Sequence, residues 1–178
     1  MRDIHVCWSH GKESGPWGTK LTAMVEVARS MGFEADSLDY RGMNNADERV
    51  KKLITHCKGI DKPLILAGSS MGGYVAARAA GEIKVEGLFL LAPALSWPGF
   101  EKPDFVLKTN QVTIVHGWGD TIIPPETSIR FAKAHRATLH IIDGDHRLKE
   151  NIEELKIYFS FFLETIKASQ VHSPGSGR

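Results

Sequence analysis

Short apolar runs alternate along the chain with longer segments whose apolar residues recur at helical spacing. The run Leu64–Ala67, for example, has the length and composition of a buried strand. In Lys20–Met31 the apolar residues lie three and four positions apart, which is the periodicity of an amphipathic helix. The pattern predicts strands at residues 4–9, 33–38, 64–67, 87–91, 112–115 and 138–142, and helices at residues 20–31, 46–57, 71–80, 124–135 and 148–167. Because strands and helices alternate, we expect an α/β fold whose mostly parallel, six-stranded sheet carries helices on both faces.

The segment Gly68-Ser69-Ser70-Met71-Gly72 joins the third predicted strand to the third predicted helix. This Gly-x-Ser-x-Gly pattern is typical of a sharp strand-to-helix turn that holds one hydroxyl at its tip. Glycines on either side of the serine suit a turn that is too tight for a Cβ. The pattern makes Ser70 a candidate nucleophile, and the alternative is a turn serine that satisfies a helix end.

Two further candidates follow the last two predicted strands: Asp120 comes after the fifth and His146 after the sixth. In a parallel sheet the carboxyl ends of the strands meet at one edge, so we expect these side chains near Ser70. A histidine can remove the proton of a serine, and a carboxylate can fix the tautomer of that histidine. The alternatives are a turn-forming Asp120, a surface-loop His146, and Asp143 or Asp145 as the acid.

The chain order of these residues and their setting resemble the α/β-hydrolase superfamily. The resemblance rests on the Ser70 segment and on three further motifs, namely His10-Gly11, His116-Gly117-x-x-Asp120 and Gly144-Asp145-His146. The chain is similar to the small, capless members of the superfamily, which include dienelactone-hydrolase-like and short serine esterase-like proteins. The resemblance implies a minimal fold without a cap and a sheet with strand order 2-1-3-4-5-6.

The resemblance also implies a domain organisation and an activity. Residues 1–168 correspond to one α/β-hydrolase domain, and residues 169–178 are predicted to form a disordered tail. Proteins of this kind are serine hydrolases, so we expect Ser70, His146 and Asp120 to cleave carboxylic esters or thioesters through an acyl-enzyme. Two alternatives are a non-catalytic binding or regulatory protein on the same scaffold and a lyase or peptidase that uses the same triad.

The resemblance further implies an oxyanion hole made by the backbone N–H groups of Met71 and Lys12. Apolar side chains in loops on the same side of the predicted sheet are Trp17, Trp97, Phe100, Trp118 and Ile122. They either form an apolar substrate pocket or pack beneath the loops. His10 and His116 are expected to be structural residues that bond to loop backbone near the site.

Charge and length narrow the range of partners. The chain has 178 residues with 22 basic and 21 acidic side chains, and it has no basic stripe or acidic tail. This balance gives no sign of a nucleic-acid surface. The resemblance instead implies a small-molecule or acylated substrate. The apolar stretches are too short to span a membrane, and the sequence leaves the oligomeric state open.

Two cysteines, Cys7 and Cys57, are too few for a disulfide framework and suit the buried thiols of a cytoplasmic protein. Gly117-x-Gly119 lacks the third glycine of a dinucleotide site, so we expect no cofactor. A metal near the serine would use His10, His116, His146 and Asp120. These residues have no recognised metal-ligand spacing, and the chain has no paired Cys-x-x-Cys of a structural zinc site, so we expect no metal.

Overall fold

Strands and helices alternate along the chain, and the computed structural model describes residues 3–96 and 104–171. The strands are β1 (His5–Ser9), β2 (Glu34–Leu38), β3 (Leu64–Ser69), β4 (Gly87–Leu91), β5 (Val112–Gly117) and β6 (Thr138–Ile142). The helices are α1 (Thr19–Ser30), α2 (Ala46–Lys58), α3 (Met71–Glu82), α4 (Glu126–His135) and α5 (Ile152–Val171). All neighbouring strands are parallel, in the order β2-β1-β3-β4-β5-β6. The predicted fold class and strand order are therefore confirmed.

Both faces of the sheet are covered, as a parallel sheet requires. On one face, Trp8 and Phe89 pack against α1 and α5, and the ring of Phe159 lies 5.3 and 4.8 Å from their centroids. On the other face, Leu66 and Leu88 pack against α2 and α3. Successive strand residues point to opposite faces, so the apolar runs of β3 and β4 supply both cores at once. The buried sheet gives the loops at its carboxyl edge a rigid base.

Helix α2 begins where the sequence predicts, because its cap is local. The side-chain oxygen of Asn45 accepts hydrogen bonds from the backbone N–H groups of Asp47 and Glu48 at 2.8 and 3.1 Å. Such a cap satisfies donors that the first turn of a helix cannot pair internally. Helix α4 starts two residues later than predicted, at Glu126, because Pro124 and Pro125 form the turn that leads into it.

Helix α5 differs from the prediction at both ends. It begins at Ile152, because Leu148 has a left-handed φ of 52° and belongs to a turn. It ends at Val171, so residues 169–171 of the predicted tail are helical, and residues 172–178 lie outside the described part of the chain. Among the described helices, none combines the length and apolar character needed to cross a membrane.

Hydrogen bonds tie the loops at the carboxyl edge to neighbouring strands. The N–H of Ser70 donates to the carbonyl of Leu91 at 3.0 Å, which fixes the end of β3 against β4. The N–H of Gly119 donates to the carbonyl of Gly144 at 2.9 Å, which joins the loop after β5 to the loop after β6. These bonds hold the segments that carry the three candidate catalytic residues.

Candidate active site

Ser70 lies between β3 and α3 in a backbone conformation that few non-glycine residues adopt, with φ 55° and ψ −121°. Such a conformation costs of order 1–3 kcal/mol and persists only where the surroundings enforce it. Here they do. A Cβ at Gly68 would lie 2.1 Å from the carbonyl oxygen of Gly72, and a Cβ at Gly72 would lie 1.9 Å from that of Ser9. The two glycines therefore permit the tight turn that places the Ser70 hydroxyl at the carboxyl edge.

The residues predicted after β3, β5 and β6 meet at this edge. Ser70 Oγ lies 2.9 Å from His146 Nε2, and His146 Nδ1 lies 2.7 Å from Asp120 Oδ2. A carboxylate only accepts hydrogen bonds, so Nδ1 is the donor and Nε2 is free to accept the proton of the serine hydroxyl. The hydrogen bonds thus select the tautomer that a general base needs.

Asp120 is buried, and its carboxylate accepts four hydrogen bonds. Oδ1 receives the backbone N–H groups of Ile122 and Ile123 at 2.9 and 2.8 Å. Oδ2 receives the ring N–H groups of His116 and His146 at 2.9 and 2.7 Å. Burial by itself would raise the pKa of Asp120, but the hydrogen bonds from His116, His146 and Ile123 outweigh it and hold the pKa well below its usual range. Asp120 is therefore a charged, fixed partner for His146.

The two alternative acids have other contacts. Asp145 Oδ1 accepts the backbone N–H groups of Arg147 and Leu148 at 2.9 and 2.8 Å, which shapes the loop that carries His146. The backbone carbonyl of Asp143 accepts a hydrogen bond from the side chain of Asn151 at 2.9 Å. Within the described part of the chain, Asp120 is the carboxylate bonded to the His146 ring.

His10 is buried with both ring nitrogens in hydrogen bonds. The backbone N–H of Tyr40 donates to Nε2 at 2.9 Å, so Nδ1 carries the proton and donates to the Gly11 carbonyl at 2.7 Å. Burial lowers the pKa of His10, and the bond to Gly11 opposes this shift. His10 braces the loop after β1, as predicted.

His116 has a more direct role than the sequence predicted. Its Nε2–H faces both Asp120 Oδ2 and the Ile123 carbonyl, the latter at 3.0 Å, so its Nδ1 accepts from the hydroxyl of Ser128 at 2.7 Å. All three partners are buried with it. The spacing His116-x-x-x-Asp120 was visible in the sequence, but a bond between the two side chains depends on how the loop turns.

Ser70 opens into a cleft of about 860 Å³. The residues that line it belong to segments 11–15, 18–21, 44–47, 69–71, 122–123 and 146–149, with Ala94. Met71, Lys12 and Ile122 are among them, as the prediction for the site requires.

The predicted aromatic pocket is wrong for Trp17 and Trp118. They do not line this cleft, and they are 53% and 61% exposed because their loops direct them to solvent. Trp97 and Phe100 lie outside the described residues.

The lining of the cleft is more polar than the sequence suggested, and Lys20 is the clearest residue that was missed. Its ammonium group donates to the backbone carbonyl of Arg147 at 2.9 Å. Burial lowers the pKa of Lys20 to about 8, although the carboxylates of Asp145 and Asp120 oppose the shift. Lys20 follows the spacing of the polar face of α1, so its position in the sequence does not indicate that it borders the cleft.

Comparison with known proteins defines the class. A family model described as an α/β hydrolase domain matches residues 41–156, and no curated protein matches the chain. The chain belongs to the α/β hydrolase family. The family and the fold support hydrolase activity.

Solved structures agree with this assignment. A protein of the α/β hydrolase superfamily from Xanthomonas campestris pv. campestris is 30% identical, with a TM-score of 0.80 over 90% of this chain and 98% of that chain. An α/β serine hydrolase without a lid from Xanthomonas campestris is 18% identical, with a TM-score of 0.79 over 92% of this chain and 82% of that chain. Est1E from Butyrivibrio proteoclasticus is 19% identical, with a TM-score of 0.77 over 94% and 89%. The last two similarities concern the fold alone.

Proposed function

We propose that this protein is a serine hydrolase that cleaves carboxylic ester or thioester bonds through an acyl-enzyme. The observation that carries the proposal is the continuous hydrogen-bonded chain from Ser70 through His146, which both line the cleft, to the buried Asp120. A serine hydroxyl is a weak nucleophile until an adjacent base takes its proton. His146 is placed to do so, and Asp120 stabilises the imidazolium that results.

The reaction follows from this arrangement. Ser70 Oγ attacks the acyl carbon while its proton passes to His146 Nε2. The tetrahedral intermediate collapses, the acyl–oxygen or acyl–sulfur bond breaks, and His146 returns the proton to the departing alcohol or thiol. A water molecule then attacks the acyl-enzyme while His146 takes its proton. The bond between the acyl carbon and Ser70 Oγ breaks, His146 returns the proton to Oγ, and the acid is released.

The oxyanion of the intermediate needs donors beside the nucleophile. Met71 is the first residue of α3, where backbone N–H groups lack helical partners and the helix dipole favours negative charge. Lys12 borders the cleft from the loop after β1. We assign their N–H groups to the oxyanion hole, in which one donor contributes about 3 kcal/mol.

Charge along the cleft favours substrates whose acyl chain ends in a polar or anionic group. Four basic residues and two acidic residues line it: Lys12, Lys20, Arg147 and Lys149 against Glu13 and Asp47. Mono-p-nitrophenyl succinate and p-nitrophenyl butyrate differ chiefly at the far end of a similar chain. We expect a several-fold higher kcat/KM for the succinate, declining with salt as screening weakens the attraction. A preference for the butyrate would contradict this part of the proposal.

A fluorophosphonate probe tests the nucleophile. The probe should label the wild type, and Ser70→Ala should abolish labelling and lower ester turnover by on the order of 10⁴-fold or more. Ser69→Ala is the matched control, since the adjacent serine belongs to β3, and it should retain labelling. Circular dichroism checks that both variants fold. Labelling that persists in Ser70→Ala would exclude the assignment.

The same experiments separate the alternatives. A non-catalytic protein on this scaffold would turn over neither an activated ester nor a thioester, and the intact Ser70–His146–Asp120 chain argues against it. A peptidase or lyase would share the probe reaction, so product analysis with ester, thioester and amide substrates of one acyl group distinguishes it.

A further inference from the structure

A second cluster of histidine and carboxylate side chains lies where α2 packs against β1 and β2. His5 and Cys7 are two residues apart on β1, so they share a face of the sheet. Asp36 on β2 is the register partner of Cys7, and His56 lies in the last turn of α2. One potential ligand atom from each of these four residues lies within 4.8 Å of those of the other three.

Two buried acceptors in this cluster lack hydrogen-bond partners among the described residues. His5 Nδ1 lies 3.4 Å from Glu34 Oε2, and since a carboxylate only accepts, Nδ1 carries the proton. In the neutral ring Nε2 then holds a lone pair, is buried, and lies 3.3 Å from Asp36 Oδ2 without hydrogen-bond geometry. The neighbouring carboxylates of Asp36 and Glu34 raise the pKa of His5, so a proton and a cation compete for this lone pair. Asp36 Oδ1 is also buried without a partner. Buried polar atoms left unpaired are costly, and a cation would satisfy both.

The donor set indicates which cation. Two imidazoles, one thiol and one carboxylate are ligands that zinc accepts, at distances of about 2.0–2.3 Å in a tetrahedron. Tetrahedral ligands at those distances are roughly 3.5 Å apart, so side-chain shifts of about 1 Å would close the cluster. Hard cations such as magnesium and calcium prefer oxygen alone. With a thiolate and a carboxylate, a divalent ion also leaves the half-buried site without net charge.

We propose that His5, Cys7, Asp36 and His56 bind one zinc-type divalent cation. Binding moves two protons. The Cys7 thiol releases its proton to solvent. In the metal-free protein His56 Nε2 donates to Asp36 at 2.8 Å, and on binding His56 loses this proton and gains one on Nδ1, which frees Nε2 for the ion. Glu34 completes the site from outside, since its hydrogen bond from His5 Nδ1 has the carboxylate–histidine–metal arrangement that fixes a ligand's orientation. The ion would join two strands and a helix.

Solvent reaches the cluster from the end of α2. The side chains of His56 and Asp36 are 37% and 31% exposed, whereas Cys7 is fully buried. An ion can therefore enter beside His56 and reach the sulfur last. His56 is also the ligand whose replacement disturbs the core least.

Cobalt(II) tests the site, because a thiolate ligand gives a charge-transfer band and a four-coordinate ion gives intense visible absorption. One equivalent should produce both in the chelator-treated wild type. Cys7→Ala should abolish the charge-transfer band, and Cys57→Ala should keep it, although its sulfur is buried 3.8 Å from that of Cys7. Absence of the band in the wild type would mean that a proton satisfies His5 instead, and it would overturn the proposal. Loss of the band in Cys57→Ala but not in Cys7→Ala would also overturn the proposal.

His56→Ala keeps the test valid if Cys7→Ala fails to fold. It should weaken zinc and cobalt affinity at least about tenfold, whereas His135→Ala, which changes a histidine in the last turn of α4, should leave affinity unchanged. Zinc at about 100 times its Kd should raise the Tm of the wild type by roughly 5–10 °C. Ser70→Ala should bind metal as the wild type does, which separates this site from the triad. Equal affinity in His56→Ala and the wild type would overturn the proposal.

Discussion

Asp120 and Asp36 are both carboxylates with a histidine on either side, yet their surroundings differ. Asp120 accepts two backbone N–H groups and two imidazole N–H groups, so its capacity is filled. Asp36 accepts one imidazole N–H on Oδ2, and its Oδ1 has no partner in the described residues. A filled carboxylate can orient a base, whereas an unfilled one can still take a ligand. The supply of backbone donors therefore separates the proposed catalytic site from the proposed metal site.

The largest test of this comparison changes each carboxylate to its amide. Asp120→Asn should lower kcat by on the order of 10³–10⁴-fold, because an amide can donate to His146 and select the wrong tautomer. Asp36→Asn should leave kcat within about twofold and remove the high-affinity cobalt spectrum. Steady-state kinetics with an activated ester and a cobalt titration measure both variants. Similar kinetic losses in the two would show that the carboxylates are not functionally distinct.

The next test removes a donor from Asp120 Oδ2. His116→Leu should lower kcat by about 10–100-fold with little change in KM, because Asp120 loses a hydrogen bond that fixes it toward His146. His116→Gln, whose amide N–H can still donate, should recover part of the loss. Equal kcat values for His116→Leu and His116→Gln would mean that His116 contributes only packing and not a hydrogen bond.

Acid should also distinguish Asp120. Its folded pKa is below the unfolded value of about 3.9, so the unfolded chain binds the proton first as the pH falls. Its contribution to stability is therefore complete above about pH 4 and is lost as the pH falls toward the folded pKa. Urea unfolding between about pH 2 and 6 should show a steeper loss for the wild type than for Asp120→Asn. Parallel curves would contradict this assignment of the acid-sensitive group.

The smallest expected effect concerns Lys20, whose charge is attracted by Asp120. Its folded pKa of about 8 lies below the unfolded value of about 10.4, so the unfolded chain holds more protons between these pH values. The Lys20 contribution should make stability rise with pH across that interval. Lys20→Met should raise the free energy of unfolding at pH 7 by about 1 kcal/mol and reduce the preference for the succinate ester. A less stable variant would mean that the hydrogen bond to Arg147 outweighs the burial of charge.

Local sequence signals were enough to predict most of the strands and helices. The bounds of β4 and β6 match the prediction because each apolar run is limited by turn residues, and the start of α2 matches because Asn45 caps it. The start of α5 was wrong because apolar Leu148 fits a helical pattern while Asp145 holds its N–H in a turn. Hydrophobic periodicity cannot detect a side chain, such as that of Asp145, that takes a backbone N–H which a helix would otherwise use.

The candidate site was predictable only where topology fixes it. Ser70, Asp120 and His146 follow three strands of one parallel sheet, so strand order alone brings them to one edge. The exposure of Trp17 and Trp118 depends on loop conformation, which apolar character does not determine. The cluster around Asp36 had no sequence signal, since its ligands come from β1, β2 and α2 and meet only through strand register and helix packing.

The strand order also determines when activity can appear as the chain folds. β1 and β3 lie inside the sheet, whereas β6 joins at an edge and is the last strand along the described chain. The turn that carries Ser70 can form early, but Asp120, the proposed acid, follows β5 and His146, the proposed base, follows β6. Under the proposed mechanism, hydrolysis begins only when that edge has docked. During refolding, recovery of hydrolase activity should therefore lag the return of α2 and α3 and report the final step of sheet assembly.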